Sequence, residues 1–471
     1  MRRSALCRAL MALTFFWHRI RIGVFGAELY FPSLFSTSGV SKPERLPFER
    51  YAVQHPESRK SVLDALTRGT VSSKENVPEE RVPHKRKKVK DEDGASPAVK
   101  QDQQIFQPVW SECHSSSITE VSPGVLLAVW FAGTEENSPD VAILSARYEG
   151  GLWEPPVEVV PPLERGSKAC GKAMGVRCKG FNSTWNPVLL THPSGEILLF
   201  YKVGNSPSAW AGLIKRSQDG GVSWEEPESM PQGVAGPAKN KVLILPNGRL
   251  LAPASTEAVG PLNPTGGRER IWKCWVDESL DGGRTWARRG PIPFDGNIIQ
   301  PVFYIDNDNR VRMLARSATE LTADGMKGNT YRDPVNRKHI IHPGKKFMIM
   351  AVGDENGDNW AKGYPLSLPC PNSGLDAVKL RDGRLLAGYN DEWDTDEARG
   401  EQCSRYRCRL ALAVSGDDGA SWRKVVVLVD GKGTVEHSYP ALIQTEDGYV
   451  HVTYTDDRKS IRHVILDPTK F

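Results

Sequence analysis

The chain has 471 residues, 39% of them apolar, with 61 Lys and Arg set against 57 Asp and Glu. That is material for one large soluble core or two smaller ones, and a net charge of +4 with no basic face in the foldable part excludes a nucleic-acid binder. Plentiful Gly (43), Pro (34) and Trp (13), with no long helical pattern, favour many short strands joined by turns.

At the N-terminus, Arg2 and Arg3 precede a short apolar run, Ala9 to Trp17, with His18, Arg19 and Arg21 close behind. This is the pattern of a targeting segment, assigned to residues 1–26, which would send the chain to the secretory pathway or an organelle. It is too short to span a bilayer, so no stable membrane span is expected. Residues 27–104 are polar and carry the block Lys85-Arg86-Lys87-Lys88-Val89-Lys90 followed by Asp91-Glu92-Asp93. The block reads as a solvated, disordered linker or as a nuclear localisation signal. The fold is expected to begin at Ile105 and to run to Phe471.

Six copies of one unit follow: a polar residue, a short apolar strand, a Gly- or Asn-containing turn and a second apolar strand. The turns fall at Pro123-Gly124, Ser194-Gly195, Asn247-Gly248, Asp308-Asn309, Asp382-Gly383 and Asp447-Gly448. Gly and Asn tolerate the positive φ that tight hairpins need. A spacing of about 50 to 75 residues suits a four-stranded blade with its loops. The expected fold is therefore all-β, a six-bladed β-propeller.

Between the hairpins lies a second repeat. Ser217-x-Asp219-x-Gly221-x-x-Trp224, Ser279-x-Asp281-x-Gly283-x-x-Trp286 and Ser415-x-Asp417-x-Gly419-x-x-Trp422 are full copies. Gly353-x-Glu355-x-Gly357-x-x-Trp360 is a worn one, and Gly150-x-x-Trp153 keeps the end of another. The carboxylate can hold turn N–H groups, Gly permits the bend and Trp packs on the blade, so these motifs read as structural.

If the first strand of each hairpin is innermost, strand starts and strand ends converge at one mouth. The starts are His114, Asn186, Asn240, Gln300, Asn372 and Tyr439; the ends are Trp130, Lys202, Glu257, Arg316, Asn390 and Arg458. Nearly all are polar although they border apolar strands. Arg316, Arg458, Lys202 and Lys239 suit a carboxylate, while the Asn side chains and Trp130 offer hydroxyl partners and a stacking face. The alternative is that Arg316 and Arg458 satisfy neighbouring carboxylates such as Glu257 or Asp457. The implied partner is a glycan or small acidic sugar bound by a monomer. Scattered histidines with no metal-ligand spacing imply no cofactor and no metal. Among eight cysteines, Cys170 with Cys178 and Cys403 with Cys408 are loop pairs that either form disulfides or stay reduced. Asn182-Ser183-Thr184 is a glycosylation sequon that matters if the chain is secreted.

The Asp boxes, together with Trp185-Asn186-Pro187, Lys239-Asn240-Lys241 and Ser438-Tyr439-Pro440, resemble the sialidase superfamily of Asp-box (BNR-repeat) propellers. That resemblance implies an arginine triad for a substrate carboxylate, a Tyr–Glu nucleophile pair and an Asp general acid. On this basis Arg316 matches one triad arginine, Arg407 a second, and Asp140 the acid, with Glu135 nearby. The Phe-Arg-Ile-Pro segment of the first triad arginine has no match, and Phe106-Gln107-Pro108 stands there. His437 takes the place of the nucleophilic tyrosine, with Tyr439 two residues on and expected on the same strand face. Where the activating glutamate belongs, the strand carries Gln300; Glu257 is the candidate replacement. The leading expectation is an exo-acting glycoside hydrolase on an acidic glycan. Asp140 would be the acid, Tyr439 or Glu257 the nucleophile or base, and Arg316, Arg407 and Arg458 the anion clamp. The alternatives are a non-catalytic glycan- or protein-binding propeller, and a uronate lyase using His114, His437 and Tyr439.

Overall fold

In the computed structural model the described residues are 97–162, 183–262, 268–319, 346–392 and 407–471, all within the second of two units, Ala52–Phe471. They build six antiparallel sheets, one per hairpin repeat. Blade one holds β2 (Glu112–Ser122), β3 (Val125–Gly133) and β4 (Ala142–Glu149), edged by β5 (Leu152–Trp153) and β6 (Val157–Val160). Blade two holds β7 (Ser183–Thr191), β8 (Ile197–Gly204), β9 (Ala211–Ser217) and β10 (Glu228–Ser229). Blade three runs β11 (Leu243–Ile244), β12 (Leu250–Leu262), β13 (Arg268–Ser279) and β14 (Ala287–Arg289). The fourth comprises β15 (Ile298–Ile305), β16 (Val311–Ser317), β17 (Phe347–Val352) and β18 (Tyr364–Pro369). The fifth comprises β19 (Asp376–Lys379), β20 (Leu385–Asn390), β21 (Arg409–Ser415) and β22 (Arg423–Asp430). Blade six contains β23 (His437–Gln444), β24 (Val450–Asp456) and β25 (Ser460–Leu466), and its outermost strand is β1 (Val99–Gln104).

This last pairing moves the start of the fold. The expected boundary at Ile105 is corrected, because Val99–Gln104 pairs antiparallel with β25 and closes the ring. An outer strand faces water on much of its surface, so Lys100, Gln101 and Asp102 can be polar and still hydrogen-bond through their backbone. A reading based on apolar runs passes over such a strand.

Apolar layers fill the spaces between blades. One unites Val302, Leu314, Met348 and Met350 of blade four with Leu385, Ala387 and Ala413 of blade five. The turns that join the third strand of a blade to its outermost strand (β9 to β10, β13 to β14, β21 to β22) carry the full Asp boxes. Asp417 accepts from Ser421 N (2.8 Å), Ser421 Oγ (2.6 Å) and Ser415 Oγ (2.7 Å), while Trp422 Nε1 donates to Gly419 O (3.0 Å). Gly221 has φ +86°, and a Cβ there would lie 2.5 Å from Leu127 of the preceding blade, so the box glycine also sets how closely blades pack. In the worn box the neighbouring Asp354 supplies the carboxylate, accepting from Asn356 N (2.9 Å) and Asp358 N (2.8 Å).

Cys408 is disulfide-bonded, and Cys113, Cys274 and Cys370 are free and buried. Cys170, Cys178, Cys403 and the sequon residue Asn182 lie outside the described residues, as do residues 1–96 with the targeting segment and the basic block. Among the described residues no helix is long and apolar enough to cross a membrane, and no three His, Cys, Asp or Glu side chains cluster as a metal site would require.

Candidate functional site

The inner strands do not begin as regular strands. Four of them carry a β-bulge at their start, between His114 and Ser117, Trp185 and Val188, Ile299 and Val302, and Ser438 and Ala441. In each bulge one non-glycine residue is left-handed: Ser115 (φ 56°), Asn186 (29°), Gln300 (51°) and Tyr439 (55°). Asn372 (52°), ahead of β19, does the same for blade five. Such conformations are costly for residues with a Cβ, and bulges re-aim side chains. Recurrence at the same place in five blades marks a constructed surface.

Tyr439 is its centre. The phenol oxygen accepts from Arg316 Nη1 (2.8 Å) and Gln300 Nε2 (3.2 Å). Arg316 Nη1 also donates to Gln300 Oε1 (2.9 Å), and its Nε donates to Asn372 Oδ1 (2.8 Å). His114 lies against the tyrosine ring with centroids 4.1 Å apart. Lys239, Arg316 and Arg407 sit 5.7, 6.0 and 5.9 Å from the ring centre. Gly374 makes room for this packing, since a Cβ there would lie 3.0 Å from the Tyr439 ring and 3.1 Å from Lys239 Cε.

The buried charges sort into two sets. Glu436, immediately before β23, accepts from Arg407 Nη1 (3.0 Å), Arg458 Nε (3.0 Å) and Ser438 Oγ (2.6 Å). Burial alone would raise its carboxyl, but Arg407 and Arg458 outweigh burial and hold it well below the usual range. Arg458 also meets Glu136 (2.8 Å) and Glu112 (3.3 Å). Arg407 and Arg458, expected as an anion clamp, are thus neutralised from within, and the carboxylates that do it are not the expected Glu257 and Asp457. Arg316 differs: among the described residues its polar partners are neutral side chains. Lys239 is buried, its Nζ on Asn240 Oδ1 (2.9 Å), Pro440 O (2.5 Å) and Leu375 O (3.3 Å). Burial pushes its ammonium down to about 7, opposed by Asp376.

His114 is held neutral. Burial, then Arg458, takes its pKa well below the ordinary histidine value. Its Nδ1 is 2.8 Å from Thr455 Oγ1, which also accepts from Ser115 N, and its Nε2 is buried without a partner. Asp140 accepts through Oδ2 from Thr134 N (3.0 Å) and Thr134 Oγ1 (2.7 Å), leaving Oδ1 buried and unpartnered. Glu257 is half-buried on β12, two residues beyond Ser255, whose hydroxyl accepts from Gln300 N (3.2 Å). Pairing is regular there, so Glu257 shares that face.

Other expected residues serve the frame. Asn186 donates to Ala238 O (3.0 Å), Asn240 to Gln300 O (3.1 Å), and Asn390 to His437 O (2.8 Å), each tying one blade to the next. The Lys202 ammonium is fully buried on Pro237 O, and burial lowers it to about 7. Trp130 is no stacking platform, because it is wholly buried against Phe106, ring centroids 4.9 Å apart. His437 does not share a face with Tyr439. The bulge after Ser438 breaks the alternation, and His437 Nδ1 instead lies 3.0 Å from Asp456 Oδ1, at ion-pair distance without hydrogen-bond alignment. Its other edge packs on Gly431, where a Cβ would come within 2.9 Å of Nε2. Glu436 was missed by the sequence reading; its signal was a carboxylate directly ahead of the apolar strand that carries Tyr439.

A family model, the BNR repeat-like domain, matches residues 124–452, more than half of the chain. The chain belongs to this family. No curated protein matches it. Its fold is similar to a protein of unknown function from Dyadobacter fermentans (17% identity, TM-score 0.56, 78% of this chain and 98% of that one). It is also similar to the K499G mutant of NanB sialidase from Streptococcus pneumoniae (12%, 0.54, 81% and 73%). A third is the alpha-L-arabinanase of Penicillium chrysogenum (15%, 0.51, 79% and 99%). At these identities the likeness is one of fold: a sialidase-like, six-bladed propeller.

Proposed function

We propose that the BNR propeller binds the carboxylate of an acidic glycan on Arg316 and cleaves the terminal sugar as an exo-acting glycoside hydrolase. The observation that carries this reading is an arginine held ready by Gln300, Asn372 and Tyr439, with neutral partners, in a mouth that also buries Lys239. A carboxylate placed there gains a charge-assisted pair that no carboxylate among the described residues already occupies. Tyr439 would attack the anomeric carbon, its phenolic proton passing to Glu257, while Asp140 gives a proton to the departing oxygen. A water then displaces Tyr439 from that carbon and yields its proton to Asp140, and Glu257 returns the phenolic proton.

One observation favours a second reading. Gln300 on the Tyr439 phenol cannot accept a proton, which suits a propeller that binds an acidic glycan without turnover, or a uronate lyase in which the neutral His114 and Tyr439 move protons. Incubating the full chain with sialosides and uronic-acid glycans separates the three. Reducing ends without ultraviolet absorbance support hydrolysis, and absorbance from a new double bond means elimination. Binding with neither signal leaves a lectin-like propeller, and Arg316→Ala should weaken that binding about 100-fold.

A further inference from the structure

On the face opposite the mouth, at the seam between blades six and one, lies a cavity of about 300 Å³ lined by Lys100, Tyr148, Asp447, Tyr449, His451 and the Leu126–Ile465 floor, among others. It opens between the β2–β3 and β23–β24 turns, at Gly124 and Asp447, the far ends of the strands that start at His114 and Tyr439. The apolar layer of this seam is thin, with five buried residues against fifteen between blades four and five.

Behind the cavity runs a hydrogen-bond chain whose direction follows from chemistry. Trp153 Nε1 can only donate, and it lies 3.1 Å from His463 Nδ1. His463 Nδ1 therefore accepts, and the neutral ring carries its hydrogen on Nε2. That nitrogen is 2.9 Å from His451 Nδ1, which must accept in turn. The remaining hydrogen sits on His451 Nε2, and His451 lines the cavity. Burial keeps both rings neutral, lowering His451 to about 4 and His463 to about 3. The wall thus offers a fixed N–H donor, held in its tautomer from behind.

Around this donor the groups complement one another. Lys100 Nζ sits 3.9 Å over the Tyr449 ring and 2.5 Å from its hydroxyl oxygen. Asp447 Oδ1 is engaged by Thr445 Oγ1 (2.5 Å) and Tyr449 N (3.1 Å). Lys100 and Asp447 cancel in charge, so the lining selects neither anion nor cation. Phenol rings, an apolar floor, a carboxylate acceptor and N–H donors suit a ligand with apolar C–H faces and hydroxyl edges. The volume lies at the small end for ligand sites.

We propose that this cavity is a second carbohydrate site, taking one neutral pyranose, with a hydroxyl oxygen on His451 Nε2–H and a hydroxyl donor on Asp447. The proposal does not rest on the reading of the mouth. The test is isothermal titration of the full chain with the methyl glycosides of glucose, galactose, mannose and N-acetylglucosamine, repeated on Arg316→Ala, Tyr449→Ala and His451→Gln. The expected result is millimolar binding of at least one sugar. It should be unchanged in Arg316→Ala, weakened at least tenfold in Tyr449→Ala, and largely kept in His451→Gln, whose amide retains a donor. Tyr449→Phe, which keeps the ring and removes only the hydroxyl, guards against a folding defect and should bind within a few-fold of wild type. Absence of binding by every sugar, or binding lost in Arg316→Ala and untouched in Tyr449→Ala, would overturn the proposal.

Discussion

The Asp-box turns and the bulged starts of the inner strands are both repeated devices, yet they use their polar groups in opposite ways. The carboxylate of each box is satisfied within its own loop: Asp281 accepts from Ser279 Oγ, Arg284 N, Thr285 N and Thr285 Oγ1, all within seven positions. The bulges do not. Gln300 reaches Tyr439 across 139 residues, and Arg316 reaches Asn372 across 56. A repeat closed on its own loop stabilises a blade wherever that blade sits. One that strains its backbone and pairs across blades makes sense only at the axis, where all the blades meet.

The largest expected effect lies with the buried charges. Glu436→Ala would leave Arg407 and Arg458 without the carboxylate they share and should destabilise the fold by about 3–5 kcal/mol in chemical denaturation. A loss under 1 kcal/mol would mean that Glu112 and Glu136 suffice. Next, Arg316→Ala should weaken binding of an acidic sugar about 100-fold, and cost about 1–3 kcal/mol of stability through the Gln300, Asn372 and Tyr439 groups it leaves unpaired. Equal affinity in the variant would remove Arg316 from the site.

Acid titration should separate the buried histidines from the Asp boxes by pH. His114, His451 and His463 are depressed in the folded chain, so the unfolded chain takes up protons first as pH falls. Stability is then full above the ordinary histidine value, about 6.5, and declines below it. The slope is about 1 kcal/mol per pH unit for each histidine, with the His451 share exhausted near pH 4. The Asp-box carboxylates Asp219, Asp281 and Asp417 are also depressed, and their contribution is lost only as pH falls below their ordinary value of 3.8. Replacing His451 with Gln should flatten the first stage alone, as read by denaturation at several pH values. The smallest effect belongs to the boxes: Asp417→Ala should cost about 1 kcal/mol and leave affinity at the mouth unaltered. A drop in affinity would show that the boxes are more than scaffold.

Blade number, hairpins and boxes were legible from the residues, since each is encoded within a few positions: Gly for a positive φ, Asp for turn N–H groups, alternating apolar residues for strands. Tyr439, Arg316, Gln300 and Asn372 were also named from strand position, and the structure brings them into contact. Alternation put His437 beside Tyr439, and the bulge separated them. Trp130 was read as a platform and lies under Phe106. The polar strand Val99–Gln104 was assigned to the linker and closes the ring. The amino-acid sequence by itself determined the repeating unit, because local hydrogen bonds and backbone preferences act over short spans. Which arginine has no carboxylate partner among the described residues was decided only by tertiary structure, because Glu436 meets Arg407 and Arg458 through a packing of blades that no local pattern records.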